Sequence, residues 1–280
     1  MPVKRYKPNN KGRRNTSVDT FEDVTRSFPE KSLIMLRKEH AGRSGGKITV
    51  RHRGGGERQF IRIVDEKRDK YDIPATVAQI EYDPNRNARL GLLHYKDGEK
   101  RYMIAPNGLK VGDIVVSSKN GAEVKIGNRM PLSKIPIGVF IYDVELQPEA
   151  GGKIARAAGA QIQLVAVEKG LAHLRMPSSE VRMVPEACFA TVGQSSNIDH
   201  WLIRWGKAGR TRHRGFRPTV RGKAMNPVDH RHGGGEGKHP IGLKAPVTYT
   251  GRLALGVKTR DLKKSSQNFI LSRRGKKKRT

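Results

Sequence analysis

Between residue 58 and about residue 197, apolar and polar positions alternate in short runs separated by turn-forming residues, a pattern of half-buried β-strands. In Ala78, Ile80 and Tyr82 every second side chain is apolar or aromatic, while Gln79 and Glu81 point the other way. This predicts one covered face and one solvated face. Phe60 to Val64, Leu90 to Tyr95, Tyr102 to Ile104 and Asp113 to Val116 read similarly. Asp83-Pro84-Asn85, Asp97-Gly98, Asn107-Gly108 and Asn120-Gly121 lie between them and suit tight turns. Strands at roughly ten-residue spacing predict a small barrel over residues 58–125. Val139 to Leu146, Gln161 to Val167, Leu171 to Met176 and Glu180 to Val184 predict a second over 126–197. Periodicity does not dictate the strand order of either.

The flanks have a different texture. Residues 1–57 carry few apolar clusters apart from Ser32 to Leu36 and read as an extended arm. From 198 to 280 the only regular signal is Ile198 to Trp205, where Trp201, Leu202 and Trp205 could form one helical turn packed on the barrel. The rest is rich in Gly, Arg, Lys and His. It buries too little apolar area to offset its ordering entropy, so it is expected to fold on a partner.

Charge identifies that partner. Residues 1–60, 61–200 and 201–280 carry net charges of +9, +2 and +19, which make up the +30 of the 280-residue chain. A balanced middle between two cationic arms calls for a polyanion, and nucleic acid is the natural candidate, bound with a steep salt dependence. Neither arm has the apolar stripe of a membrane-surface helix, no apolar run approaches the roughly 20 residues that span a bilayer, and no secretory signal is expected. Cys188 is the single cysteine, which excludes an internal disulfide and reads as a small buried apolar residue in a reducing cytosol.

Five segments could carry chemistry. Ala224 to Gly237, AMNPVDHRHGGGEG, joins Asn226, Asp229, His230, His232 and Glu236 to three glycines, Gly233, Gly234 and Gly235, with His239 just beyond. One reading is an acid-base or metal centre, but no nucleophile with a positioned base and no metal-binding helix spacing accompanies it. The favoured reading is an RNA-threading loop whose imidazoles and bare backbone meet phosphates and bases. Around a second triplet, Gly54 to Gly56, stand Arg51, His52, Arg53 and Arg58, and neither a P-loop nor a dinucleotide spacing is present. Arg86 and Arg89 flank a turn between strands, and Arg156 sits in GGKIARAAG; loops of small barrels commonly grip nucleic acid, and Arg offers a planar fork for phosphate or guanine. Tyr82 and Tyr95 could stack on bases but read more simply as core. Finally, Arg210, Arg212, Arg214, Arg217 and Arg221 place cations at nearly every second position of an extended segment around Phe216, suited to a groove between RNA helices.

Taken in order, RYKPNNKGRR, ITVRHRGGG, IEYDPNRNARLGLLHYKDGEKRYMIAP with GLKVGD, GNRMPLSKIPIG, GGKIARAAG, RMPSSEVRMV, RPTVRGKAMNPVDH with HGGGEG, and SRRGKKKRT resemble the universal "L-two" family of large-subunit ribosomal proteins in its bacterial form. The likeness covers nearly the whole chain. It implies an all-β fold, an OB-like barrel followed by an SH3-like barrel, with long basic irregular extensions threaded into large-subunit ribosomal RNA near the peptidyl-transferase region. It also implies roles in subunit joining, tRNA placement and assembly, with peptide bond chemistry left to RNA. The histidine of the NPVDH motif, His230, is by that resemblance functionally sensitive. Two segments depart from the family: Arg231 stands where a proline is usual, and Thr211 to Phe216 replaces a more apolar stretch.

The expected partners are therefore large-subunit ribosomal RNA, other ribosomal proteins and the small subunit at the subunit interface, with no membrane, no homo-oligomer, no cofactor and no metal, in the cytoplasmic ribosome. Two other classes make different predictions. A His/Asp/Glu enzyme at 229–239 would turn over substrate in isolation, and a non-specific cationic condenser would need no balanced, strand-rich middle and would bind DNA and RNA alike.

Overall fold

The computed structural model describes residues 3–38, 40–238 and 240–273; the cationic run from Arg274 and the residue His239 lie outside these. The chain divides into two units, one made of residues up to 38, 58–207 and from 265 on, the other of 39–57 and 208–264.

The first unit contains two sheets. Strands Ala75–Glu81, Leu90–Tyr95, Lys100–Ile104 and Ile114–Val115 form a four-stranded antiparallel sheet with Ile114–Val115 at one edge, next to Ala75–Glu81, and Lys100–Ile104 at the other. The Asp97-Gly98 turn forms as its sequence requires: Tyr95 donates to Glu99 O at 3.0 Å, and Gly98 takes φ +84°.

Both faces of this sheet are covered, and this overturns the one-sided reading. Five of the six residues of Leu90–Tyr95 are buried, and alternate ones enter different clusters. Leu93 and Tyr95 pack with Ala75, Val77, Met103 and Val115; Leu90 and Leu92 pack with Tyr102, Ile104 and Tyr142. A bulge between Val77 and Gln79 interrupts the strand's pairing. Glu81, expected in solvent, is buried, and the Tyr102 hydroxyl donates to its Oε2 at 2.6 Å. Burial holds the Glu81 carboxyl above its usual range, against the hydrogen bond from Tyr102. Tyr95 is core as read, but Tyr82, one residue past the strand, is 43% exposed and packs edge-on against Phe21.

The second sheet has seven antiparallel strands in the order Arg129–Pro131, Phe189–Val192, Phe140–Tyr142, Ile162–Glu168, Leu171–Arg175, Val181–Pro185 and Ile270–Ser272. Its core gathers Met130, Leu132, Ile141, Ile162, Leu164, Leu174 and Cys188. Burial pushes the Cys188 thiol up to about 12, so it is a packed apolar group. The seventh strand comes from a segment read as irregular: Val181 faces Ser272, because the Ile270-Leu271 pair supplies a short apolar edge among basic neighbours.

Tyr142 locks the sheets together by donating to Ile104 O at 2.9 Å, and Ser196 Oγ accepts from Arg89 N at 2.9 Å. The fold is thus all-β, OB-like then SH3-like, with one short α-helix, Ala208–His213, among the described residues.

Charged groups also hold this unit from inside. Arg129, fully buried, donates through Nη2 to Glu145 at 2.9 Å and through Nη1 to Asp143 at 3.3 Å. Glu145 further accepts from the backbone N–H of Glu149, Gly151 and Phe189. The first part of the predicted arm is pinned down as well. Val3–Arg5 pairs with Ser17–Asp19, and Ile34–Leu36 pairs with Phe60–Arg62.

The expected turn at Ile198 forms as a 3-10 helix, Ile198–Leu202, but Trp201 is 78% exposed rather than packed on a barrel. The 3-10 helix ends at Leu202 and Ile203 is extended, so Trp205 lies beyond it and the two indoles share no helical face.

The second unit contains a two-stranded ladder, Arg43–Ser44 with Lys47–Ile48, the helix Ala208–His213, and isolated bridges Arg53–Phe216 and Val247–Leu253. None of its described apolar side chains is fully buried. It is held by backbone hydrogen bonds, close glycine contacts and cations on rings.

Candidate nucleic-acid interface

Two segments singled out separately in the sequence lie side by side in the second unit. The backbone of His52–Glu57 runs against His213–Arg217: Gly54 N donates to Gly215 O at 2.9 Å, Glu57 N to His213 O at 2.8 Å, and Arg217 N to His52 O at 3.0 Å. The chains approach so closely that a Cβ on Gly56 would stand 2.7 Å from Gly215 N, which explains the glycine. Cations decorate this ladder. Arg53 lies over the Phe216 ring at 4.1 Å, His213 Nδ1 meets Glu57 at 2.7 Å, and the Arg212 guanidinium covers Gly55. The Nη1 atoms of Arg210 and Arg212 are covered yet hold no hydrogen bond among the described residues, whereas Arg214, Arg217 and Arg221 are exposed.

The histidine loop is a compact turn. Asn226 O accepts from Asp229 N at 3.0 Å and His230 N at 3.2 Å, and Gly233 N donates to His230 O at 2.8 Å. Gly233 passes so close to Asn226 that a Cβ would stand 2.3 Å from its carbonyl oxygen; Gly234 and Gly235 take φ of +91° and +71°. The His230 and His232 rings sit 4.7 Å apart, tilted by 55°. His230 Nδ1 accepts from His232 N, and His232 Nε2 accepts from Val247 N, each at 3.0 Å. A nitrogen that accepts holds no proton, so His230 presents Nε2–H and His232 presents Nδ1–H. Asp229, His230, His232 and Glu236 do not converge: among the described residues no three His, Cys, Asp or Glu side chains are grouped to hold a metal.

The hairpin around Val247–Leu253 joins both segments, and sequence reasoning missed it. It supplies the N–H bound by His232. Arg51 lies over its Tyr249 ring at 4.2 Å, and the Arg231 guanidinium rests on Gly251. Arg231, the departure from the family pattern, thus anchors the histidine loop to the hairpin. The available signal was VTYTG, a β-branched and aromatic run ending in glycine, inconspicuous among so many basic residues.

The barrel arginines are placed differently. Arg58 is exposed. Arg86 is half-buried and donates from Nε to Asp83 at 2.8 Å. Arg156 reaches Glu66 at 2.8 Å and Asp143 at 3.3 Å, leaving part of its guanidinium in solvent. Asp143 is held above its usual range by burial, against the pull of Arg129 and Arg156. Arg89, read as a contact residue, is buried and forked onto Asp23 at 2.9 Å and Asp19 at 2.7 Å. Burial alone would lower its pKa, but those carboxylates carry it above its ordinary value. Its guanidinium fastens the N-terminal segment to the barrel and leaves no fork for phosphate.

Among the described residues no helix is long and apolar enough to cross a membrane. Comparison with known families gives two matches in chain order. "Ribosomal Proteins L2, RNA binding N-terminal domain" matches residues 30–117, and "Ribosomal Proteins L2, C-terminal domain" matches residues 125–251, together well over half of the chain.

Proposed function

The chain belongs to the ribosomal protein L2 family, a structural, RNA-binding constituent of the large ribosomal subunit, and we propose that it organises the RNA of the peptidyl-transferase region while supporting subunit association and tRNA placement. The observation that carries this reading is the second unit. It has 18 Lys and Arg against five Asp and Glu, no fully buried apolar side chain among its described residues, and a backbone ladder that gathers Arg51, His52, Arg53, Arg212 and Arg217. Such a surface acts by position and charge. Phosphates neutralise its guanidiniums, and His230 Nε2–H, Asn226 and the bare backbone of Gly233 to Gly235 meet bases or sugars. Peptide bond formation is left to the RNA.

Arg58, Arg86 and Arg156 extend the contact from the barrels, and Arg86 and Arg156 exchange part of their carboxylate pairing for phosphate on binding. The partners are other ribosomal proteins and, at the subunit interface, the small subunit; the chain is of the bacterial type and does not form a homo-oligomer.

The test is a salt titration of the full chain against a structured large-subunit ribosomal RNA fragment, with a DNA duplex of equal length as competitor. RNA preference at matched salt, together with a loss of about 1–3 kcal/mol for Arg156→Ala, is the expected result. Equal affinity for both nucleic acids would reduce the protein to a cationic condenser.

A further inference from the structure

The first unit carries a cavity that the interface above does not use. It lies where the N-terminal hairpin meets the 3-10 turn, has a volume of about 330 Å³, and is lined by Arg5, Tyr6, Arg14, Ser17, Trp201 and Arg204 among others. Its floor is rigid. Ser17 Oγ donates to Leu202 O and accepts from Arg204 N, both at 2.8 Å; Ser17 N donates to Arg204 O at 3.0 Å, and Tyr6 N to Thr16 O at 3.2 Å. The walls are three guanidiniums and two aromatic rings. No carboxylate lines the cavity, and among the described residues Arg5, Arg14 and Arg204 have no acidic partner. Three like charges around one opening call for an anion. The indole of Trp201, 78% exposed, calls for a flat partner.

We infer that this cavity binds one unpaired nucleotide of the RNA, its base stacked on Trp201 and its phosphate held among Arg5, Arg14 and Arg204. Each class of lining group then has a partner: guanidiniums a phosphate, the aromatic faces a base. The volume is at the lower end of small-ligand pockets, roughly 300–1,000 Å³, which admits a nucleotide swung out of a strand and excludes a double helix. An acidic peptide would satisfy the arginines but leave the indole bare. The inference rests on the RNA-binding reading above and adds an unpaired nucleotide, as the class of ligand, on a surface that contains none of the contact residues proposed there.

The chain has two tryptophans, so Trp205→Phe in the full-length protein leaves Trp201 as sole fluorophore. Single-stranded heptaadenylate is expected to quench Trp201 saturably at a salt concentration where a duplex RNA of the same length does not. Arg14→Glu in that background should weaken the heptaadenylate at least about tenfold, the scale of one stacked and charge-anchored base, while Lys96→Glu on a distant turn changes it less than about twofold. Binding of the structured ribosomal RNA fragment, measured alongside by filter retention, separates the two ideas. If the fragment binds but heptaadenylate leaves Trp201 unquenched, or Arg14→Glu and Lys96→Glu act equally, the cavity assignment falls while the RNA-binding reading stands. Failure of the fragment itself to bind removes that reading. Quenching by adenosine monophosphate as strong as by heptaadenylate, or by hexaglutamate as strong as by RNA, also overturns the assignment, in favour of a free nucleotide or an acidic peptide.

Discussion

The two units of this chain are stabilised by different physics. The first holds every buried apolar side chain found among the described residues, from Ala75 to Val192, all but Phe189 in three clusters, and carries ion pairs into its interior. The second has no such side chain. Its close packing comes from glycines against backbone, and its arginines lie on rings, cover glycines or are partly or fully exposed. Apolar burial is a stabiliser the chain carries with it, whereas a cationic backbone ladder gains its full stabilisation when phosphate arrives. The contrast divides labour: the first unit holds its own shape, and on the function proposed above the second takes shape against RNA.

The comparison breaks most visibly at Arg129. Arg129→Ala leaves Glu145 buried without its cation and Asp143 with Arg156 alone, and should cost about 3–5 kcal/mol in urea unfolding; a loss below about 1 kcal/mol would show that the cluster is solvated. Leu164→Ala, deep in the second sheet, should cost about 2–5 kcal/mol. Leu253→Ala, more than half exposed in the second unit, should stay within about 0.5 kcal/mol. Equal losses at the two leucines would abolish the distinction between the units.

Gly56→Ala sharpens it from the other side. The added Cβ meets Gly215 backbone, so the ladder must shift, and affinity for the ribosomal RNA fragment is expected to fall by about 1–3 kcal/mol while the urea midpoint of the barrels stays put. A shifted midpoint with unchanged affinity would reverse the roles of the units.

The smallest effect is in the pH dependence of the barrels. Glu81 is held above its usual range in the fold, so the folded state binds this proton more tightly than the unfolded chain. Its contribution to stability is therefore greatest below the ordinary carboxylate value and is lost as pH rises through the raised one. Glu81→Gln keeps an acceptor for Tyr102 and removes the titration, so the fall in Tm between pH 4 and pH 7 should be smaller in the variant; an identical fall would assign the dependence to other groups.

Much of this was legible beforehand. The alternation in Leu171 to Met176, the Asp97-Gly98 turn and the buried Cys188 follow from local preference and composition, whereas in Phe60 to Val64 the strand forms but Arg62 is buried and Phe60 and Ile63 are exposed. What was misread shares one cause. Glu81 was placed in solvent because alternation reports two faces but not whether the second is covered, and Leu90 and Leu92 turned out to line a second cluster on that face. Trp201 was packed inward on helical spacing with Trp205, but the helix stops at Leu202, before that residue. Arg89 was read as a contact because an arginine in a turn looks the same whether it meets phosphate or, as here, two carboxylates nearly 70 residues earlier in the chain.

By itself the sequence determined the class of molecule: short strands enough for two small barrels, a neutral middle, cationic flanks and two glycine triplets too bare for anything but close approach. Those properties are local, set by each residue and its near neighbours. Only the tertiary structure decided which arginines turn inward, that Gly54 to Gly56 lies against a segment about 160 residues later, that the Tyr249 hairpin joins it to the histidine loop, and that Ile270–Ser272 returns to complete a sheet. Such pairings are won by closing long loops, and their free energy depends on what every other segment has already covered, which no window of neighbouring residues contains.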